Sequence, residues 1–96
     1  MRTALILAAA SASILSACTT ATQCGTSIPE DLRADTFLYV IDKQLVKPVL
    51  MPRDDQALAL GAGHPFATLP ADRQKLVALR AAGYASCLRE TVDRSK

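Results

Sequence analysis

The segment that decides the fold is residues 70–93, which reads PADRQKLVALRAAGYASCLRETVD. Pro70 can open a helix in its first turn, and Asp72 lies near the positively polarised end of that helix. Apolar residues then recur at the spacing that places side chains on one face of an α-helix: Val77, Ala81, Tyr84, Leu88 and Val92. The pattern therefore predicts a helix over residues 70–93 with a single apolar stripe, weakened only at Gly83.

The apolar stripe of this helix needs a surface to pack on, and two interpretations stay open. In the first, it packs on another helix of the same chain. In the second, it binds a helix of a partner protein, and the partner-binding residues are Val77, Tyr84, Leu88 and Val92.

A second long helix is predicted over residues 29–46. Ser27 followed by Glu30, with Pro29 between them, is typical of a helix start. The apolar residues that follow have helical spacing: Ala34, Leu38, Ile41 and Leu45. The alternative is a strand over residues 36–41, which are rich in aromatic and β-branched side chains. We favour the helix, and expect it to end at Lys47-Pro48 because proline disfavours the α conformation in the residue before it.

The segment between the two long helices is predicted to be mostly irregular. Residues 49–52 are expected to be extended. Asp54 is in position to cap a short helix over residues 55–60, which Gly61 would end. The expected fold is therefore mainly α, a small helical hairpin-like module over residues 29–96 with two main helices and one short helix.

The N-terminal segment is typical of an export signal. Arg2 supplies a positive start, and residues 4–15 carry no charge. A membrane-spanning helix needs about 20 apolar residues, so this segment is too short to span and better fits a signal peptide.

The residues Leu15-Ser16-Ala17-Cys18 resemble the lipobox of bacterial prolipoproteins. This resemblance implies a signal peptide over residues 1–17, transfer of diacylglycerol to the Cys18 thiol, cleavage before Cys18 and acylation of the new amine. The chain would then be attached to the membrane by acyl chains. Thr19, where an Asp would favour the inner membrane, implies the periplasm-facing side of the outer membrane, with the inner membrane as the alternative.

The residues after Cys18 are small and polar, so residues 18–28 are predicted to form a flexible tether. Two further cysteines, Cys24 and Cys87, remain. Exported proteins meet an oxidising environment, and an even pair of cysteines there indicates a disulfide. Three states stay open for this pair, namely a bridge within the chain, a bridge between two copies in a disulfide-linked homodimer, and free thiols.

No catalytic or metal site is visible in the sequence. The single histidine, His64, cannot form a zinc site alone, and we interpret it as a surface loop residue. Asp54 and Asp55 are adjacent and would point apart on a helix, so they are interpreted as capping residues. The serines lack the context of a nucleophile, and no glycine-rich phosphate loop is present.

These observations predict neither an enzyme nor a cofactor-binding protein. The chain has 96 residues and a net charge of +2, without the dense basic patch of a nucleic-acid-binding protein. We therefore expect an accessory or interaction lipoprotein without catalysis.

A further resemblance is to the outer-membrane spanin subunits of tailed phages. It is carried by the lipobox, by the stretch Val46-Lys47-Pro48-Val49-Leu50-Met51-Pro52, and by the late helix with Tyr84 and Cys87. It implies an extended mature chain that acts in host lysis. It also implies that the last helix contacts an inner-membrane partner and that Cys24 or Cys87 can link two subunits.

Overall fold

The computed structural model describes residues 21–95, and it shows four helices joined by short connections. The helices are α1 (Ala21–Thr26), α2 (Glu30–Asp42), α3 (Arg53–Ala62) and α4 (Ala71–Ser95). Single 3₁₀ turns lie at Pro48–Leu50 and Phe66–Thr68. No strand is found in this part of the chain, so the mainly α fold is confirmed and residues 36–41 are helical.

The two long helices run in the same direction. Near the start of both, a guanidinium nitrogen of Arg73 donates to the backbone oxygen of Asp31 at 2.6 Å. Near the end of both, Arg89 donates to the backbone oxygen of Leu45 at 3.0 Å. A direct hairpin would have made them antiparallel.

Helix α3 supplies the return that the parallel arrangement requires. It packs on α2, which also packs on α4. Its end lies near the start of α2, because Gly63 sits against the backbone oxygen of Ala34. The three helices thus run up, down and up, with α1 added on the side of α4.

The core lies between these helices and takes one face of each. Phe37 of α2 and Tyr84 of α4 are its largest fully buried aromatic residues, with ring centroids 4.9 Å apart. The buried apolar residues are Cys24, Ile28, Leu32, Phe37, Val40, Val46, Met51, Ala59, Val77, Ala81, Tyr84, Ala85 and Leu88. The apolar stripe of α4 therefore packs inside the chain, which was the first of the two interpretations.

The start and end of α2 both differ from the sequence prediction. The Ser27 hydroxyl donates to the backbone oxygen of Cys24 at 3.1 Å and caps nothing, because Pro29 takes the N-cap position. At the other end, α2 stops at Asp42, several residues before Pro48. Gln44 adopts a positive φ of 55°, and the amide of Leu45 donates to the Val40 oxygen at 3.1 Å. This is a Schellman termination, which usually uses glycine and therefore left no signal in the sequence.

Two predictions about the segment between the long helices are also corrected. The stretch expected to be extended contains the 3₁₀ turn at Pro48–Leu50. Helix α3 begins at Arg53, earlier than predicted, with Pro52 at the N-cap position. Asp54 and Asp55 therefore lie in its first turn, where acids are favourable, and neither is the cap.

The tether predicted over residues 18–28 is not seen in its described part. Ala21–Thr26 is helical, and both Cys24 and Gly25 are buried. Six residues of this composition do not form a stable helix alone, so tertiary contacts hold α1 in place. The signal peptide, the lipobox and Cys18 lie outside the described residues.

Two glycines provide a test of the packing. A Cβ at Gly63 would lie 2.6 Å from the Ala59 oxygen and 2.9 Å from the Ala34 oxygen, whereas a Cβ at Gly83 would meet nothing within 4 Å. We expect Gly63→Ala to lower the free energy of unfolding by about 1–3 kcal/mol through overpacking of α2 against α3. Gly83→Ala should raise it by about 0.5–1 kcal/mol, because alanine is the better helix former. Urea denaturation followed by circular dichroism measures both, and equal effects of the two substitutions would contradict this packing.

Candidate functional site

The feature of this chain with clear chemistry is a disulfide between Cys24 of α1 and Cys87 of α4. The two Cα atoms are 5.7 Å apart, and the bridge joins residues separated by 63 positions. Cys24 is only 2% exposed. The predicted bridge within the chain is confirmed, and in this structure it leaves neither cysteine for the homodimer or the free-thiol alternative.

The residues of α4 around the bridge make further contacts with α1. Thr91, one turn after Cys87, donates its hydroxyl to the Cys87 backbone oxygen at 2.9 Å. The same hydroxyl lies 3.9 Å from the sulfur of Cys24. Residues of α1 and of the last third of α4 are therefore in direct contact.

Gly25 brings α1 against the centre of the bundle. A Cβ at this position would lie 3.0 Å from the Phe37 ring and 3.1 Å from a carboxylate oxygen of Asp55. Arg33 secures the connection that follows, because its side chain donates to the backbone oxygens of Ile28 at 2.9 Å and Thr26 at 3.2 Å. The approach of Gly25 to Phe37 and Asp55 leaves little room for a side chain at this position.

Asp55 and Tyr84 form a buried polar pair beneath α1. The Tyr84 hydroxyl donates to a carboxylate oxygen of Asp55 at 2.7 Å. Burial raises the pKa of Asp55, and the charge of Asp54 adds to this, although the hydrogen bond from Tyr84 works in the opposite direction. Burial and the neighbouring carboxylate also raise the pKa of Tyr84, so its hydroxyl stays protonated. The sequence interpretation of Asp55 as a capping residue is therefore wrong, because its side chain is buried and bonded to Tyr84.

Asp35, in the first half of α2, forms a second buried acidic site. It accepts from the backbone amide of His64 at 2.7 Å and from the His64 ring at 2.9 Å, and Arg73 lies 3.5 Å away. Burial alone would raise the pKa of Asp35, but the two bonds from His64 and the contact with Arg73 outweigh it and lower the pKa. His64 is a largely exposed loop residue, as predicted, but its bonds to Asp35 fix the connection between α3 and α4.

The predicted partner-binding residues are placed mainly in the core. Val77, Tyr84 and Leu88 are buried, and Val92 is half-buried. The three buried residues belong to the core of the bundle and are not exposed to a partner in this structure. The lipidation residue Cys18 and the lipobox residues Leu15, Ser16 and Ala17 lie outside the described residues.

Sequence reasoning missed the two acidic pairs. In each pair the partners are separated by 29 positions, so no local motif brings them together. A weak signal existed at Asp35, which is an acid three residues after the buried Leu32 on the inner side of α2. Within residues 21–95 we find no cavity, no group of side chains that could hold a metal ion, and no helix long and apolar enough to cross a membrane.

Comparison of the chain with protein-family models, with curated proteins and with solved structures finds no match.

The contribution of the disulfide can be measured directly. In the chain-entropy model, a bridge that closes a loop of this length stabilises the folded state by about 4 kcal/mol. We expect the double substitution Cys24→Ser and Cys87→Ser, or reduction of the wild-type chain, to lower the free energy of unfolding by about that amount in urea titrations. The double variant should not respond to reductant, and a wild-type chain that keeps its stability after reduction would contradict the prediction.

The two buried acids predict opposite dependences on pH. The pKa of Asp55 is raised by folding, so its contribution to stability is largest below its ordinary value of 3.8 and is lost as the pH rises through the folded value. Asp55→Asn keeps an oxygen that accepts the hydrogen bond from Tyr84. It also removes the free-energy cost of a buried charged carboxylate. The variant should be at least as stable as wild type at pH 7, and its advantage should shrink towards pH 3.8.

Asp35→Asn is the matched control, because folding lowers the pKa of Asp35. Its contribution is present above 3.8 and is lost as the pH falls through the folded value. This variant should lose about 1–3 kcal/mol at pH 7, with a smaller loss in acid. Thermal denaturation over a pH series measures both, and stability differences that change with pH in the same direction for the two variants would refute the assignment.

Proposed function

We propose that this protein is a small lipoprotein, anchored through acyl chains on Cys18 and facing the periplasm, that acts as an accessory or interaction protein without catalysis. The observation that carries the proposal is the Cys24–Cys87 bridge inside the chain. Structural disulfides persist in exported proteins and are rare in the cytosol. The bridge thus agrees with the export and lipobox signals of residues 1–18, which are independent of it.

The anchor and the folded module would be joined very closely. Between Cys18 and the first residue of α1, Ala21, the chain has only Thr19 and Thr20. A segment of this length reaches at most about 11 Å. Several acyl chains on one residue make membrane attachment stable, whereas a single chain gives only marginal binding. The module would therefore stay at the membrane surface, with its movement restricted.

A protein partner of α4 would meet the outward face of this helix. The inward face is occupied by the core, while Leu76 and Leu79 are exposed on the outer side, at 46% and 67%. The contact that the sequence suggested for the last helix is thus proposed here for these two leucines, in place of the buried stripe.

The lipid anchor is tested by the substitution Cys18→Ser. In a Gram-negative host labelled with radioactive palmitate, we expect the wild-type chain to carry the label and to sediment with membranes. The Cys18→Ser chain should lose the label. The double substitution Cys24→Ser and Cys87→Ser is the control and should keep it, because these thiols are not acylated. An unlabelled wild-type chain would refute the proposal.

The same host distinguishes the accessory role from the spanin-like lysis role. An accessory lipoprotein leaves cell turbidity unchanged when it is co-expressed with an inner-membrane coiled-coil spanin subunit and an endolysin. Loss of turbidity that depends on Cys18 would instead favour the lysis role.

A further inference from the structure

The connection between α2 and α3, taken together with Arg53, the first residue of α3, carries three cationic side chains and one exposed apolar side chain, and we call residues 43–53 the basic loop. The basic loop contains Lys43, Lys47 and Arg53 and no acidic residue. Asp42 precedes it and Asp54 follows it. All three cationic residues are exposed. Val49, between two of them, is 80% exposed and is the most exposed of the large hydrophobic residues that the structure describes.

The fold holds the basic loop in a fixed conformation that presents these groups to the outside. Val46 and Met51 point inward and are buried in the core. The 3₁₀ turn at Pro48–Leu50 lies between them and places Val49 at its outer side. The exposure of Val49 is thus a property of an ordered turn.

The basic loop lies at the same end of the bundle as the attachment point of α1. Arg89 of α4 donates to the Leu45 oxygen in the loop at 3.0 Å. Cys87, two positions earlier on α4, is bonded to Cys24 of α1. Two positions correspond to about 3 Å along a helix axis, so the loop and α1 lie at the same level of α4.

We propose that the basic loop rests on the membrane surface and binds anionic phospholipid headgroups. This inference rests on the proposed acylation of Cys18, because the short segment from Cys18 to Ala21 then brings this end of the bundle to the lipid. Cationic side chains are attracted to an anionic lipid surface, and an exposed apolar side chain can enter the boundary between headgroups and acyl chains. The protein would thus be held in one orientation, with the start of α4 directed away from the membrane.

The absence of tryptophan from the chain allows a direct test. V49W and L79W each introduce one indole. The two positions have similar exposure, but Val49 lies in the basic loop and Leu79 lies in the first half of α4, away from the loop. The acylated proteins are reconstituted in vesicles of phosphatidylglycerol and phosphatidylcholine, the latter brominated near the headgroup end of its acyl chains. Bromine quenches an indole only at short range.

We expect V49W fluorescence to be quenched and shifted to shorter wavelength, and L79W fluorescence to stay unchanged. Substitution of Lys43→Glu and Lys47→Glu in the V49W chain should weaken the binding of the loop to the membrane. The ratio of bound to unbound loop should fall by roughly five-fold for each positive charge removed. Lys75→Glu and Arg80→Glu, the matched charge change on α4, should leave the quenching as it was. High salt should weaken it, because the attraction is screened.

The outcomes separate this inference from the proposed function. A chain that carries acyl groups and floats with the vesicles, but whose V49W indole is not quenched, overturns the loop contact and leaves the anchor intact. Equal quenching of V49W and L79W also overturns it, since the orientation would be random. A chain without acyl groups whose V49W indole is still quenched retains the loop contact and overturns the anchor. A chain that neither floats nor shows quenching overturns both.

Discussion

The covalent bond between Cys24 and Cys87 is the interaction on which the rest of the structure depends. Helix α1 has six residues, and a helix of that length is not stable in water by itself. Once the bridge holds it on α4, Gly25 covers Phe37 and Asp55 and closes the core from that side. A chain of this size has room for only a small core, and small domains commonly need such a covalent constraint.

The two buried aspartates show how one residue type acquires opposite properties from its surroundings. Asp35 is surrounded by donors, including a backbone amide, an imidazole and a guanidinium, so its negative charge is favoured despite burial. Asp55 is buried and lies beside the charge of Asp54, so its own charge is disfavoured, and the single hydrogen bond from the Tyr84 hydroxyl does not offset this. The first site fixes the connection before α4, and the second orients α3 against α4. A buried acid without a strong counter-charge costs stability.

The long helices could be predicted from the sequence because their apolar residues have a clear period. The disulfide could be predicted as one of three alternatives, because the cysteine count and the export signal are both local features. The direction of α2 relative to α4 could not be predicted, since it depends on the packing of α3 back along α2, which no local pattern in the sequence shows. Helix α1 was missed because its threonine-rich residues favour no regular structure until the bridge and the core hold them. The early end of α2 was missed because Gln44 takes a backbone conformation that usually selects glycine.

The long loop that the disulfide closes affects what happens to the protein after proteolytic cleavage. The two longer connections between the described helices, residues 43–52 and 63–70, lie between Cys24 and Cys87. A protease that cuts either connection therefore produces two fragments that stay joined through sulfur. The nicked protein keeps all of its helices in one covalent unit, and α4 is retained wherever the N-terminal segment is held.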